Sequence, residues 1–310
     1  MTPPMRKVPL THGVQWLIRA INLGTRNPRA IFGAAVLFMA VLYLLALVLA
    51  TPARSLAGGA NPDMASVATA LIPMFVALVL LLPILLAGLM HVISEAEAGR
   101  PTRARDLFAP LRLGKAGPLA LLGLIQIALT LVSTALVIWL AGQDYWPQYL
   151  EMMRSALSGH VATAPEPDHP GLMMLVQFLF NYFSNAILLI SVPLIMFSGL
   201  SLSDAVKRSV SASLWNLGAY LLAAMLFVLG VVVSAVLASV IAIVLVQIGS
   251  LIHPVVGALL AASLYLAYGA VVVVVMVGTC YYAWRDVFGQ GEQSVTQQAS
   301  STPRPGQLEA

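Results

Sequence analysis

The sequence predicts an all-α polytopic membrane bundle: six transmembrane helices joined by short amphipathic interfacial helices. Three observations predict it. Of 310 residues, 60% are hydrophobic and only 9% charged, whereas a soluble domain carries about 25% charged residues. The charges cluster between long uncharged runs, at 30–50, 65–89, 116–142, 171–203 and 210–284. The stretch "AVLFMAVLYLLALVLA" is apolar on every side, which excludes a barrel strand, since those alternate over ~10 residues.

Taken in order, each of the first four runs holds one helix, because a bilayer needs about 20 apolar residues per span. The fifth run is too long for one span and reads as two, broken at Gly249-Ser250 and His253-Pro254. The expected spans are about 30–50, 66–93, 117–141, 172–199, 214–246 and 254–284, within a transmembrane domain at 30–288. Residues 1–29 form an N-terminal segment with an interfacial helix. Residues 289–310 form a polar, Ser/Gln/Pro-rich tail expected to be disordered. The first span reads as an uncleaved signal-anchor, because its apolar core exceeds the ~7–15 residues of a signal peptide and no clear Ala-x-Ala site follows.

The cations set the topology. Arg6, Lys7, Arg19, Arg26 and Arg29 precede span one, and Arg54 alone follows it. Arg100, Arg103, Arg105, Arg112 and Lys115 separate spans two and three. Arg154 stands among Asp144, Glu151, Glu166 and Asp168 in the next loop. Lys207 and Arg208 precede span five, and Arg285 ends span six. Basic loops alternate sides, so the positive-inside rule places both termini in the cytoplasm of a plasma membrane.

A unit repeats three times, beginning near residues 10, 103 and 203. Each has a short basic amphipathic segment, a Pro, Gly or Asn break, a span, an outer loop and a second span. "LLLPILLAGL" (80–89) echoes "ISVPLIMFSGL" (190–200), and Pro83 and Pro193 are expected to kink their helices.

Val8, Pro9, Gly13 and Trp16 at the start, with Asp106, Leu107 and Phe108 entering the second unit, resemble a family of uncharacterised bacterial six-span inner-membrane proteins. The resemblance covers about residues 8–288. It implies a bacterial inner membrane and a multi-span bundle, and it transfers no activity.

Two groups of residues are candidates for function. The first is an intramembrane polar row: Gln177, Asn181 and Asn185 at i, i+4 and i+8, with Ser184 beside them and Gln126 of span three as a candidate partner. It reads either as interhelical hydrogen bonding, worth ~0.6 kcal/mol per bond, or as a path for a polar solute. The second is a set of interfacial lipid contacts: Trp16, Arg19, Arg26, Arg29, Arg112, Lys115, Lys207 and Arg208. In the first helix Val14, Leu17, Ile18 and Ile21 form an apolar face laid on the bilayer, with Trp16 at headgroup level. The partners expected are the bilayer itself, anionic headgroups on the cytoplasmic side, and a second copy or another membrane protein. Small residues repeating at four in spans five and six (Ser234, Ala238 and Ala242; Ala258 and Ala262; Gly257 and Ala261) predict close helix packing.

The remaining chemistry is thin. Cys280 is the single cysteine, so the chain has no internal disulfide and no cysteine metal cluster. His91 and Glu95 lie one turn apart but are too few to ligate a metal. His160 and His169 flank carboxylates in the outer loop, where "YWPQYLEMMRSAL" reads as a second interfacial helix. No Gly-x-Ser-x-Gly, HExxH or Walker sequence occurs. The basic segments lack the charge and aromatics for nucleic acid. No Asp, Glu, Lys or Arg falls deep in a span, where proton- and ion-coupled transporters usually keep such groups, which argues against a proton-driven pump. The chain therefore reads as a non-enzymatic scaffold, accessory or regulatory component without cofactor. The alternative is a transporter or permeation pathway for a small or lipid-like solute.

Overall fold

The computed structural model describes residues 5–25, 27–57, 64–157 and 163–289. Among them, six helices are long and apolar enough to cross a membrane. They are α2 (Pro28–Leu49), α4 (Met64–Glu97), α6 (Ala116–Ala141), α8 (Pro170–Met196), α10 (Leu217–Ser250) and α11 (Pro254–Phe288). Shorter helices precede or join them: α1 (His12–Ile21) before the first, then α3 (Thr51–Ala57), α5 (Ala109–Arg112), α7 (Tyr145–Leu157) and α9 (Leu202–Trp215). The chain is an all-α, multi-pass, membrane-embedded bundle. Arg26, His160 and residues 290–310 lie outside the described residues.

Local signals set the boundaries. Asn27 caps α2, its side chain accepting from the Ala30 N–H at 3.3 Å, with Pro28 at the first helical position. The long apolar run divides where sequence breakers predict. Gly249 and Gly257 let the α10–α11 turn close, since a β-carbon on Gly249 would lie 2.5 Å from the Gly257 Cα. Just below this turn α10 packs through Ala238 and Ala242, both buried. Its partner uses the register of Gly257 and Ala261, while Ala258 and Ala262 face outward. The Tyr268 hydroxyl donates to the Val231 carbonyl at 2.9 Å and sits 3.2 Å from the Ser234 hydroxyl.

The three hairpins α2–α4, α6–α8 and α10–α11 pack by one rule. The second helices α4, α8 and α11 touch one another at the centre. Each entry segment seats on the hairpin of the preceding unit. The 3-10 turn Ala104–Phe108 and α5 lie on α2 and α4, α9 lies on α8 and α6, and α1 lies on α11 and α10. The chain's first unit thus closes the ring against its last. Close backbone contacts mark these seats. A β-carbon on Gly88 of α4 would fall 1.7 Å from the Leu107 carbonyl oxygen, and one on Gly13 would fall 2.5 Å from that of Ala219.

The proline–glycine echo between α4 and α8 has unequal meanings. Gly88 lies inside α4, which continues nine residues further to Glu97, and provides the seat for Leu107. Gly199 lies beyond the end of α8 at positive φ (64°), where it turns the chain towards α9. The reason lies in spacing: five positions separate Pro83 from Gly88, and six separate Pro193 from Gly199.

The core is concentrated near the end of the bundle that carries the entry segments. Leu85, Leu89, Met90 and Ile93 of α4 meet Val192 and Leu194 of α8, and Val277, Val287 and Phe288 of α11, all fully or almost fully buried. Towards the other end the helices expose apolar side chains, as in Val232, Val236 and Val240 of α10. Such surface is compatible only with hydrocarbon.

Candidate functional site

The entry helix α1 buries a different face from the one its large apolar residues mark. Gly13, Trp16, Leu17 and Ala20 are buried against α10 and α11, while Val14, Ile18 and Ile21 are exposed. Trp16, expected at headgroup level, has no exposed surface at all. Its small neighbours explain this. Gly13 and Ala20 allow the α1 backbone to approach α10 and Gly278 of α11 closely, and the indole follows them inward. The other entry segments repeat the pattern. α9 buries Ala205, Ser209, Ala212 and Ser213 and exposes Leu214 and Trp215. The second entry buries Leu107, Ala109 and Pro110 and exposes Leu111 and Leu113. Each entry segment therefore has one face on protein and one apolar face left for lipid.

One acid fastens the first entry helix. Asp286, near the end of α11, accepts from the Trp16 indole N–H at 2.9 Å and from Arg19 at 3.2 Å, with the His12 ring nitrogen at 3.2 Å. The three partners fall at i, i+4 and i+7 on one stripe of α1. Nearby, Asn216 accepts from the Val8 N–H at 2.8 Å and donates to the Arg6 carbonyl, and the Arg6 N–H donates to the Val287 carbonyl. The N-terminal segment is thus tied to both helices of the third unit. Sequence reasoning followed the cations and missed Asp286. The available signal was an acid two residues from the end of the last span, facing a Trp-and-Arg stripe.

The other cations divide. Arg112 donates to Asp106 at 2.7 Å, and that carboxylate also accepts from the Arg103 N–H at 2.9 Å. The Arg112 hydrogen bond, followed by the Arg103 N–H, holds the Asp106 carboxyl below the usual range. Arg29 and Lys207 are exposed, and Lys115 and Arg208 are half-buried. Arg100 forms two bonds to Glu95, at 2.5 and 2.7 Å. Glu95 is thereby committed to Arg100, and among the described residues no three His, Cys, Asp or Glu side chains gather as a metal site.

The polar row on α8 separates into two environments. Ser184 faces α6, where its hydroxyl donates to the Gln126 side-chain oxygen while Gln126 donates back to the Ser184 carbonyl at 2.9 Å. Asn181 and Asn185 face away from this pair. Each donates to a backbone carbonyl one turn earlier, that of Gln177 or Asn181, at 2.8 Å. Both are exposed, as is Gln177. The row was expected to point into the bundle or a wet cavity, with Gln126 as a candidate partner; Gln126 pairs with Ser184, while Asn181 and Asn185 line a groove on the side of the bundle.

That groove lies where the cyclic rule fails. α4 packs on α6 between units one and two, and α11 packs on α2 between units three and one. Among the described residues α8 and α10 show no comparable packing. The space between them has a volume of about 380 Å³. Asn181, Asn185 and Leu189 form one wall and Tyr220, Ala224 and Phe227 the other, with Thr279 and Cys280 of α11 behind them. The Trp16 and Tyr220 rings meet at 5.4 Å, and among the described residues the buried Tyr220 hydroxyl has no hydrogen-bond partner.

Fold and groove together define a multi-pass α-helical membrane protein with a side cleft. No protein-family model, curated protein or solved structure matches the chain.

Proposed function

We propose that this chain is a non-enzymatic scaffold, accessory or regulatory component of a bacterial inner membrane, with both termini in the cytoplasm. The observation carrying this reading is the apolar plug formed by α4, α8 and α11 at the entry end, where Leu85, Leu89, Ile93, Val192, Leu194 and Val277 are buried against one another. A plug of this kind disfavours a polar path along the bundle axis, because each polar group crossing it would lose its hydrogen bonds. The orientation is supported by the alternation of basic loops, and by the exposure of Arg29 and Lys207 where anionic headgroups would meet them. The bacterial inner membrane is supported by the resemblance at Val8–Trp16 and Asp106–Phe108.

The test reconstitutes the full chain in liposomes loaded with a panel of small neutral and charged solutes, alongside cross-linked capture from native membranes. The reading expects no saturable flux, and a protein partner whose recovery falls when Arg29 and Lys207 are reversed to Glu. Saturable flux of any solute would replace it with the transporter reading. One observation favours that alternative for a lipid-like solute: the groove between α8 and α10 opens sideways rather than along the bundle axis.

A further inference from the structure

A second cavity lies at the entry end, walled by Arg19, Asn22, Thr25, Glu97, Tyr282 and Arg285. Its volume is about 490 Å³, within the ~300–1,000 Å³ of small-molecule sites. Each of these side chains carries a polar group. The cavity sits where the ring closes. Arg19 belongs to α1, Asn22 and Thr25 to the 3-10 turn Asn22–Thr25, Glu97 to the end of α4, and Tyr282 and Arg285 to α11.

The walls are rich in donors. Arg19 spends only Nη1 on Asp286, at 3.2 and 3.4 Å from its two oxygens. Arg285 gives Nη1 to Glu97 at 3.3 Å, and its guanidinium carbon stands 5.2 Å from the Tyr282 ring centroid. An arginine carries five N–H donors. Both therefore keep donors for a ligand, while a carboxylate beside each steadies the guanidinium. The Asn22 side-chain amide donates to nothing among the described residues. The Thr25 hydroxyl donates to the Asn22 carbonyl at 2.8 Å.

These donors select the occupant. They arrive from α1, the turn and α11, an arrangement that suits the tetrahedral oxygens of a phosphate better than a planar carboxylate, which one guanidinium edge can satisfy. Two arginines against one glutamate leave the lining with a net charge of +1. Asp286 does not line the cavity. A singly charged phosphodiester balances that lining, whereas Glu97 would repel the second charge of a phosphomonoester dianion. Basic pockets between membrane helices at headgroup level are where phospholipid heads bind.

We infer that the cavity between α1, α4 and α11 binds a singly charged phosphodiester, with Arg19, Arg285 and the Asn22 amide donating to its oxygens. Ile18, one turn before Asn22 on the α1 surface, is exposed, as is Ile21. A phospholipid seated here lays its acyl chains along that lipid-facing stripe. The same chemistry is carried by a soluble phosphodiester, and the test separates the two. Either occupant ties the first entry helix to α4 and α11 where the ring closes. This rests on the membrane-embedded fold and the cavity, not on either reading of the protein's role.

The test titrates the delipidated full chain in dodecyl maltoside by isothermal calorimetry. The probes are dioctanoylphosphatidylglycerol, its deacylated head glycerophosphoglycerol, and dioctanoylglycerol, which lacks the phosphate. Saturable binding of the phospholipid is expected, with none of dioctanoylglycerol. Weaker binding of glycerophosphoglycerol assigns the lipid as occupant, and equal binding assigns a soluble phosphodiester; both support the site. Arg19→Gln leaves Trp16 on Asp286 and should weaken binding by about ten-fold or more, the value of a charge-assisted hydrogen bond. Asn22→Ala, at an exposed position with helical backbone, should weaken it about three- to ten-fold with the unfolding midpoint unchanged. Arg29→Gln, outside the cavity, should leave binding unchanged. Absence of saturable binding, or equal binding of dioctanoylglycerol, would overturn the inference. So would parental affinity in Arg19→Gln or Asn22→Ala. A loss in Arg29→Gln matching that in Arg19→Gln would also overturn it, since that marks diffuse surface charge in place of a site. Solute flux and partner capture are separate readouts, so failure here is distinct from failure of the scaffold reading.

Discussion

Replacing Asp286 should release the first entry helix, and the cost can be worked from its contacts. In Asp286→Ala the Trp16 indole N–H loses its acceptor in a site with no exposed surface. A buried donor left unsatisfied costs about 1–3 kcal/mol. The Arg19 pair adds little, because the Arg19 side chain is 42% exposed and such pairs are worth ~0–1 kcal/mol. The sum is about 1–4 kcal/mol, dominated by the indole. Asp286→Asn keeps an acceptor oxygen for Trp16 and loses only the charge, so it should cost at most ~1 kcal/mol. Unfolding by SDS titration in mixed micelles measures both. A cycle with Trp16→Phe isolates the shared term, and the Ala penalty should largely vanish in the Trp16→Phe background. Equal costs for Asn and Ala, or additivity in the cycle, would refute the argument that the buried indole is the dominant partner.

Other predictions follow from the seats and pairs. Gly88→Val would drive a side chain into the Leu107 carbonyl. It should destabilise by about 3 kcal/mol or more, in the range of backbone-displacing core substitutions, and raise protease sensitivity at 100–115. Gln126→Leu and Ser184→Ala should be non-additive, since either alone strands its partner; their coupling should fall near ~0.6 kcal/mol and not exceed ~1.7, read by the same SDS titration. Asp106 has a folded pKa below its unfolded value, so its contribution is present above the unfolded pKa and is lost as pH falls through the folded one. Asp106→Asn should remove that acid-side loss of stability, which a pH series of thermal unfolding would check.

Much of the fold was legible because a membrane imposes length on apolar runs. Six spans followed from the uncharged stretches, and the Gly249–Pro254 break from its Gly and Pro residues. The three-unit pattern was visible as basic segments before spans. What could not be read was which side of each entry segment meets protein. In water the large apolar face turns inward, but in lipid Val14, Ile18 and Ile21 gain nothing by burial, and small residues such as Gly13 and Ala20 decide contact. Trp16 therefore went to the wrong environment. The polar row was legible as a row, because its spacing is helical. Its division between Gln126 and the groove depends on where α10 stands, which no property of α8 encodes. Asp286 was hidden because its importance arises from residues some 270 positions earlier in the chain.

The central claim is a ring of three hairpin units, closed by entry segments and, among the described residues, open between α8 and α10. Cysteine cross-linking in native membranes tests it most directly, in a Cys280→Ser background. β-carbons at Gly33 and Gly278 would lie 3.1 Å and 3.2 Å from those of Ala104 and Ala20, within a few tenths of the ~3.5–4.5 Å a disulfide needs. The pairs Gly33→Cys with Ala104→Cys and Gly278→Cys with Ala20→Cys should both form readily, while Leu189→Cys with Ala224→Cys, across the groove, should not. Failure of the Ala20–Gly278 pair, or ready closure of Leu189–Ala224, would contradict the ring and its open seam.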